Sequence, residues 1–327
     1  MRYIESDRTD PYYNLALEEY VFNRLPRNDS YLMLWQNDKT IVIGKYQNAI
    51  EEINQEFVDA HGIRVARRLS GGGAVYHDLG NLNFTFITDQ KELNKINFEV
   101  FVRPVIETLA GFGIRAEFTG RNDIVIDGCK ISGNSQYIRQ GRVMHHGCIL
   151  LDSDLSAVSE ALHVREAKFQ SKNVKSVRSR VTTINAHAAE PITMAQFKDA
   201  LKEHILGGST VQPYRLTAED IATVEHLRDR KYATWEWNYG RSRPFEMVRE
   251  EKFPAGLVTV RINAENGRIR EISITGDFFG SGEIGELEAA LSGAPLDESL
   301  AGRIAALDLE HYMSGISPSE LAGLIRG

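Results

Sequence analysis

The stretch RRLSGGGAVYHDLGN at 67–81 places three consecutive glycines after two arginines and directly before a β-like segment. Glycines adopt backbone angles closed to other residues and let backbone N–H groups approach a ligand, typically a phosphate. The preceding Arg67 and Arg68 would supply the counter-charge. For an isolated glycine run, a flexible hairpin with solvated arginines is the alternative interpretation. The rest of the chain decides between the two.

Length and composition indicate a globular protein with more than one domain. A chain of 327 residues favours a large domain with a smaller partner. Hydrophobic residues make up 42% and charged residues 25%, without the bias of a disordered chain. The sequence contains no signal-peptide pattern and no apolar stretch of about 18 residues. Its two cysteines, Cys129 and Cys148, lack metal-ligand spacing and are expected to be reduced thiols. We therefore expect a cytosolic protein that does not enter membranes.

The net charge of −7 is concentrated in the C-terminal part of the chain. Residues 250–327 contain 13 acidic and 6 basic side chains, whereas residues 1–249 contain 32 of each. The tail is therefore expected to form a separate acidic unit. Segment 165–180 has the opposite character, with six basic residues and one acid, and is either a solvated face or a contact for a phosphate-bearing ligand or acidic partner. Nucleic acid is not favoured, because the chain is acidic and the basic segment lacks a series of aromatic stacking residues.

Periodicity predicts the elements of a mixed α/β domain. Asp10 and Pro11 are typical of a helix N-cap and first turn, and apolar residues then recur at helical spacing. Four β-rich runs, expected to form one sheet, follow at 31–35, 40–44, 63–67 and 81–87. The Asp127-Gly128 pair predicts a β-hairpin, with a further strand at 146–151. Later helices are predicted at 98–111, 155–162, 193–206 and 217–230.

The tail has its own sequence pattern after a composition shift at 241–253. Asn266-Gly267 is the strongest hairpin signal in the chain and lies between two β-like runs. Helical segments follow at 284–291, 300–312 and 319–325. The sequence thus predicts a large domain at 1–245 and a small α/β accessory domain at 250–327.

Four clusters of glycine-rich or polar sequence follow one another in the large domain. They are RRLSGGGAVYHDLGNLN at 67–83, RNDIVIDGCKISGNSQ at 121–136, HHGCILLDSDL at 145–155 and SKNVKSVRSRVTTI at 171–184. Together they resemble the lipoate–protein ligase family, and the resemblance runs from NLALEEY at 14–20 to GDFF at 276–279. It implies an α/β fold with a mixed sheet flanked by helices, of the biotin/lipoate-ligase type, and a small accessory C-terminal domain.

The resemblance also implies a reaction in two steps. Lipoate and ATP, with Mg²⁺, would form lipoyl-adenylate and release pyrophosphate. The lipoyl group would then pass to a lysine of an acidic carrier domain, in 2-oxoacid dehydrogenase E2 subunits or the glycine cleavage H protein. Because the first step brings two anions together, a cation and N–H donors between them would lower the barrier, by about 3–4 kcal/mol per well-placed donor. Lys130 in KISG matches the family's motif lysine and is the predicted catalytic cation.

By the same resemblance, nucleotide and lipoate contacts are assigned to Arg68, Ser70, Gly71, Gly72, Gly73, Ala74, Val75, Tyr76, His77 and Asn81. Asp123 precedes the lysine hairpin, and two ligands stay open for it, Mg²⁺ or the adenylate. No other metal ligand is assigned. His146 is expected beside the lipoyl pocket, with a core histidine as the alternative. The loop at 171–184 resembles the family's adenylate cover, with contacts from Arg178, Arg180, Val181 and Thr182.

Cys148 departs from the family pattern, because a threonine is usual at its position in ligases. A cysteine nucleophile beside His145 and His146 would make the protein an ATP-independent lipoyl or octanoyl transferase. A small buried hydrophobe is the alternative, since Cys148 and His146 share a face of their strand. A non-enzymatic carrier-binding protein of the same fold is the other rival. The basic segment 165–180 and the accessory domain argue against a transferase, and the retained Lys130 argues against a binding protein.

Overall fold

The computed structural model describes residues 1–89, 97–119, 122–162, 181–207, 213–239 and 247–327. Within these ranges the strands are β1 Arg2–Glu5, β2 Tyr31–Trp35, β3 Thr40–Ile43, β4 Arg64–Arg67, β5 Val75–His77, β6 Asn81–Asp89, β7 Glu117–Thr119, β8 Asp123–Ile126, β9 Cys129–Arg139, β10 Arg142–Leu150, β11 Met247–Phe253, β12 Gly256–Glu265 and β13 Arg268–Gly276. The helices are α1 Pro11–Arg24, α2 Ala49–Glu52, α3 Gln55–His61, α4 Glu99–Gly111, α5 Leu155–Ala161, α6 Met194–Leu206, α7 Ala218–Leu227, α8 Trp235–Tyr239, α9 Ile284–Leu291, α10 Leu300–Ala305, α11 Leu309–Tyr312 and α12 Pro318–Arg326.

Seven strands form the central sheet in the order β1-β2-β6-β10-β9-β8-β7. The β1–β2 pair is parallel and the other neighbours are antiparallel. Phe84 and Phe86 of β6 pack with α4 and α6 on one side, which we call the α4 face. Met144 of β10 packs with α1 on the other side, which we call the α1 face. The mixed α/β architecture expected from the sequence is confirmed.

The expectation of one sheet for the four early β-rich runs is wrong. β2 and β6 join the central sheet, whereas β3 and β4 form a separate sheet with β5, in the order β4-β3-β5. The chain returns after the glycine run so that Tyr76 lies opposite Ile41 in an antiparallel pair. Alternation identifies strands, but turn geometry and the available sheet edge decide which strands pair.

α1 begins at Pro11, as predicted, and the Asp10 side chain accepts a hydrogen bond from the Tyr12 N–H at 3.1 Å. It is not the first element, because β1 precedes it and pairs in parallel with β2. α1 buries Leu15 and Leu17 in the core together with one acidic side chain, Glu18, which is only 2% exposed. A buried carboxylate needs polar partners, and those of Glu18 belong to the site described below.

Both predicted hairpins are present. Asp127 and Gly128 have φ values of 50° and 77° and connect β8 with β9, and Asn266 and Gly267 have φ values of 51° and 70° and connect β12 with β13. The tail contains the antiparallel sheet β11-β12-β13 and helices α9 to α12. β11 was not predicted, because its exposed charged residues give no clear periodicity. None of the described helices is long and apolar enough to cross a bilayer.

Candidate active site

A cavity of about 560 Å³, its open mouth included, lies where α1, the β4-β3-β5 sheet and the α1 face of the central sheet meet. The sequence-predicted residues that line it are Arg68, Gly73, Ala74, Val75, His77, Lys130 and His146. Those that lie outside its lining are Ser70, Gly71, Gly72, Tyr76, Asn81, Asp123, Val181 and Thr182. Arg178, Arg180 and the rest of 171–180 fall outside the described residues.

The two adjacent arginines have different roles, which the sequence does not distinguish. The guanidinium of Arg67 donates to backbone carbonyl oxygens of Gly44, Lys45, Gln47, Trp237 and Asn238. It does not line the cavity, so the counter-charge predicted from Arg67 is not supplied there.

Arg68 lies beneath the glycine run. Its Nη2 donates to the carbonyl oxygens of Gly71 at 2.6 Å and Gly73 at 2.8 Å. Burial lowers the pKa of Arg68 to about 10, so the guanidinium stays charged at neutral pH. The structure therefore gives Arg68 a part in fixing the conformation of the glycine run, and its charge lies at the cavity.

The glycine run also contacts the tail. The Gly72 N–H donates to the Phe278 carbonyl oxygen at 3.2 Å, and a Cβ at Gly71 would lie 2.3 Å from the same oxygen. Tyr46 stacks on Phe278 with ring centroids 4.9 Å apart and donates its hydroxyl to the Gly282 carbonyl at 2.8 Å. Glycine at 71 is therefore required by close contact with the tail backbone, a reason that the local sequence alone does not provide. Glycine at 72 is required by its positive φ of 87°.

His146 is held by two side chains rather than by the backbone. Its Nδ1 donates to Glu18 Oε1 at 2.9 Å, and its Nε2 lies 2.5 Å from Ser70 Oγ. Thr85 donates to the same Glu18 oxygen at 2.5 Å. Sequence reasoning missed Glu18, although an acidic residue three positions after Leu15, within an apolar helical stripe, was an available signal. Both ring nitrogens of His146 thus have partners inside the protein.

Lys130 lies near the start of β9 and pairs with Asp123. Its Nζ is 2.7 Å from Asp123 Oδ1, and the two side chains are 33% and 35% exposed. The Thr182 N–H donates to the Lys130 carbonyl at 2.9 Å, and Val181 forms a parallel bridge with Lys130. A Cβ at Gly133 would lie 2.8 Å from Nζ, so this glycine leaves room for the ammonium group. The second and fourth sequence clusters therefore meet at Lys130.

The structure gives Asp123 a cationic partner, Lys130. Among the residues described, no group of three or more His, Cys, Asp and Glu side chains is placed to hold a metal ion. Any Mg²⁺ here would need oxygen ligands from a bound substrate, which is usual for Mg²⁺ with nucleotides.

Cys148 and His145 lie on opposite faces of β10. Cys148 lines the cavity, is 7% exposed and has its Sγ 3.7 Å from the Gly133 carbonyl oxygen. His145 stacks on Phe101 of α4 with centroids 4.7 Å apart, and burial holds its pKa well below the usual value. The placement of Cys148 and His146 on one face is as the strand pattern predicts, and His145 is a core residue.

The cavity also contains residues that sequence reasoning did not select. Leu15, Trp35 and Val42 supply apolar lining, and Asn83 supplies a polar group. Asn83 lies in β6, where polar residues alternate with Leu82, Phe84 and Phe86. That alternation was recognised only as a strand pattern, because it does not say that the polar side is buried. Tyr76 instead faces away and packs with Ile41 in a separate core.

Comparisons with known families agree with this geometry. Residues 10–206 match the family described as "Lipoyl protein ligase A/B catalytic domain". Residues 242–325 match "Bacterial lipoate protein ligase C-terminus". The first match defines the class of the catalytic part, and the two matches together show that the chain belongs to the lipoate–protein ligase family.

Curated relatives support the same assignment over the full chain. "Lipoate--protein ligase 1" of Staphylococcus aureus is 45% identical, covering 99% of this chain and 100% of that protein. "Lipoate-protein ligase LplJ" of Bacillus subtilis is 42% identical, covering 97% of each chain. The predicted ligase class is thereby confirmed, and the ATP-independent transferase is not favoured.

Solved structures confirm the fold. P. falciparum LipL1 in complex with lipoate is 25% identical, with a TM-score of 0.81 over 99% of both chains. The Thermoplasma acidophilum bipartite ligase, studied with its E2 lipoyl domain, is 29% identical, with a TM-score of 0.66 over 75% of this chain and 98% of that one. A lipoate-protein ligase A bound with ATP is 26% identical, with a TM-score of 0.63 over 73% and 98%.

Proposed function

We propose that this chain activates lipoate with ATP to lipoyl-adenylate and then transfers the lipoyl group to a lysine of a carrier protein. The main support is the position of Lys130 at a cavity that also has an apolar lining from Leu15, Trp35 and Val42. An apolar lining suits a saturated acyl chain, and an adjacent ammonium group suits its carboxylate. The solved relatives with lipoate and with ATP support the choice of substrates.

Lys130 would act in the first step by electrostatic stabilisation. The lipoate carboxylate attacks the α-phosphorus of ATP, and pyrophosphate leaves with the bonding electron pair. An ammonium between the two anions removes their repulsion as they approach, an effect of about 3–4 kcal/mol for one well-placed donor. Asp123, 2.7 Å from Nζ, would hold the ammonium in position before the substrates bind.

Mg²⁺ belongs to the proposal as a partner of the ATP phosphates. The described residues do not form a metal cage, so the ion would enter with the nucleotide. Asp123, the ion-pair partner of the cavity-lining Lys130, is the carboxylate that it would meet. The ion would supply positive charge at the phosphates.

The proposed acceptors are the lipoyl domains of 2-oxoacid dehydrogenase E2 subunits and the glycine cleavage H protein. The archaeal ligase studied with its E2 lipoyl domain supports this class of acceptor. A cytosolic location, and a division into a catalytic domain at 1–245 and an accessory domain at 250–327, are part of the same proposal.

The hydrogen bonds of His146 argue against His146 as the base that would activate Cys148 for acyl transfer through a thioester. A cysteine nucleophile needs a base or cation that lowers its pKa. His146 shares its face, but Nδ1 of His146 is bonded to Glu18 and Nε2 to Ser70. Cys148 therefore has no free imidazole nitrogen from His146 to activate it.

Lipoate-dependent exchange of labelled pyrophosphate into ATP tests the proposal directly. We expect exchange with the wild type that requires lipoate, and ATP-dependent lipoylation of an apo carrier domain. Lys130→Ala is the inactive comparison and Cys148→Ser the active one. A wild-type enzyme that shows no exchange, yet transfers lipoyl groups between carriers without ATP, would overturn the proposal.

A further inference from the structure

Four buried side chains form a continuous series of hydrogen bonds between α1 and the glycine run. We call it the Glu18 series, and its members are Glu18 of α1, His146 of β10, and Ser70 and Arg68 before the glycines. The distances along it are 2.9 Å from His146 Nδ1 to Glu18 Oε1, 2.5 Å from Ser70 Oγ to His146 Nε2, and 3.1 Å from Arg68 Nε to Ser70 Oγ. None of the four residues is more than 6% exposed. Three elements that surround the cavity are therefore joined through their side chains.

The direction of these hydrogen bonds is set at both ends of the series. The Arg68 guanidinium can only donate, so Ser70 Oγ accepts from it. The Ser70 hydroxyl proton then has one acceptor among the groups that the structure describes, His146 Nε2. The Glu18 carboxylate accepts at the other end, which places a ring proton on His146 Nδ1. A second ring proton, on Nε2, would leave the Ser70 hydroxyl proton without an acceptor in the described part of the chain, so the series favours a neutral imidazole.

The two ends of the Glu18 series carry opposite charges, and its middle is neutral. Within the described ranges the ion-pair partner of Glu18 is His146, and no lysine or arginine lies within ion-pair distance of it. Burial lowers the pKa of Arg68 to about 10, and the negative charge of Glu18 acts in the opposite direction. Hydrogen bonds that run head to tail between opposite charges polarise and strengthen one another. Loss of Glu18 should therefore affect Arg68, although two side chains lie between them.

Arg68 in turn supports the carbonyl groups of the glycine run. Its guanidinium plane is held at Nε by Ser70 Oγ and at Nη1 by the Val42 carbonyl oxygen, 3.1 Å away. Because the guanidinium is a rigid planar fork, these two contacts direct Nη2 to the carbonyl oxygens of Gly71 and Gly73. The Ser70 hydroxyl thus helps to decide how the guanidinium faces the run.

We propose that Glu18 is a positioning residue for the ligase reaction, which holds the glycine run in its binding conformation through His146 and Ser70. The inference rests on the proposed function, in which the glycine run contacts the substrates. Glu18 is not part of the cavity lining, so it acts on the substrates only through the series. A run that must be reoriented for each binding event binds with lower apparent affinity, because only the competent fraction of the protein takes up substrate.

Nitrogen NMR tests the hydrogen bonds independently of the reaction. The side-chain nitrogen shifts of isotope-labelled histidine distinguish the two neutral tautomers from the doubly protonated ring, and His146→Gln identifies the signals of His146. We expect the wild type at neutral pH to have a neutral His146 ring with its proton on Nδ1. Glu18→Leu should move that proton to Nε2, because the acceptor for Nδ1–H is lost. A wild-type ring that is doubly protonated, or protonated on Nε2 alone, would overturn the inference.

A double-mutant cycle in pyrophosphate exchange tests the effect on the reaction. Glu18→Leu removes the end of the series and Ser70→Ala removes a link in it, and neither side chain lines the cavity. We expect each variant to lower kcat/KM for lipoate by about 10-fold, mainly through a raised KM. The double variant should be no worse than the more impaired single variant, because both substitutions break the same series. Losses that multiply to about 100-fold would overturn the inference.

Glu19→Leu is the matched control on the same helix. Glu19 accepts hydrogen bonds from Lys231 Nζ and the Tyr232 hydroxyl, each at 2.7 Å, and does not belong to the Glu18 series. Glu19→Leu should therefore lower the thermal stability of the protein and leave kcat/KM for exchange unchanged. A loss of kcat/KM equal to that of Glu18→Leu would show a general effect of altering α1 and would contradict the inference.

Thermal unfolding of each variant separates a folding defect from a kinetic one. If Glu18→Leu does not fold, Ser70→Ala still tests the series, because it deletes a single oxygen atom. Normal kcat/KM in either folded variant would refute the positioning role. A wild-type enzyme without lipoate-dependent exchange would instead refute the proposed function, and the NMR measurement would still report on the hydrogen bonds.

Discussion

The two faces of the central sheet are buried to a similar degree and differ in what covers them. On the α4 face, Phe84 and Phe86 pack with Phe101 and other apolar side chains of α4 and α6. On the α1 face, Thr85 and His146 contact the buried carboxylate of Glu18, and the neighbouring cavity is left open. Adjacent residues of one strand therefore face two different environments, an apolar core on one side and polar groups beside a cavity on the other.

This difference separates stability from chemistry within β6 and β10. The α4 face has close apolar packing, in which every lost contact reduces the free energy of unfolding. The α1 face has fixed polar groups, and one of its nitrogens, Asn83 Nδ2, has no hydrogen-bond partner among the described residues. Such groups lower stability and are kept where a ligand will satisfy them. Substitutions on the two faces should therefore have different consequences.

The largest effect on activity is expected from substitution of Lys130, which lines the cavity. Lys130→Ala should reduce lipoate-dependent pyrophosphate exchange by at least about 100-fold, because it removes the cation between two anions. Unfolding should change little, since the side chain is 33% exposed. Lys130→Arg should also be impaired, because a planar guanidinium does not replace a compact ammonium. Near-normal exchange by folded Lys130→Ala would contradict the assignment.

On the α4 face, Phe84→Ala should lower the stability of the protein. Phe84 is fully buried, and loss of its ring should lower the free energy of unfolding by about 3–5 kcal/mol, measured by urea denaturation. Activity per folded molecule at low temperature should stay close to that of the wild type. A variant of normal stability with lost exchange would show that the two faces are not separable in this way.

A smaller effect on stability is expected when the pH is lowered, because one buried histidine lies near each face of the central sheet. Burial lowers the pKa of His77 to about 3 and holds that of His145 well below its usual value. The unfolded chain, with histidine pKa values near 6.5, binds protons that the folded chain does not, so stability falls as the pH drops below about 6.5.

At pH 5 this linkage amounts to about 2 kcal/mol for His77 relative to pH 7. Urea unfolding at pH 7 and pH 5 measures it, and His77→Gln should show a loss smaller by one histidine's share. Equal losses in the variant and the wild type would mean that His77 is not held neutral by burial.

The smallest effect is expected at Cys148. Cys148→Ser and Cys148→Thr should keep most ATP-dependent lipoylation of an apo carrier domain, because the adenylate itself is the activated donor. Intact mass after reaction should show no thioester adduct on the wild type. An adduct that disappears in Cys148→Ser, together with transfer in the absence of ATP, would reassign the cavity to a transferase.

Sequence reasoning selected several of the residues that line the cavity, because they belong to short motifs. The glycine run and the Asp127-Gly128 turn follow from local chemistry, and the structure has the predicted hairpin around that turn. Lys130 in KISG follows from the resemblance to the family's motif lysine. Glu18 was missed, because a carboxylate in an amphipathic helix is normally solvated. Asn83 was missed for a similar reason, since a polar residue in an alternating strand normally faces water.

The sequence by itself determined the family, the order of most helices and strands, and the lysine at the centre of the proposed chemistry. Each of these depends on patterns within a few residues or on motifs in a fixed order. Only the tertiary structure decided that β3 and β4 form a sheet apart from the central one, that the tail packs on Gly71 and Gly72, and that His77 and Asn83 become buried residues of the cavity lining. The physical reason is that side-chain burial and strand pairing depend on segments far apart in the chain. A local sequence pattern does not predict which surface of the protein will cover another.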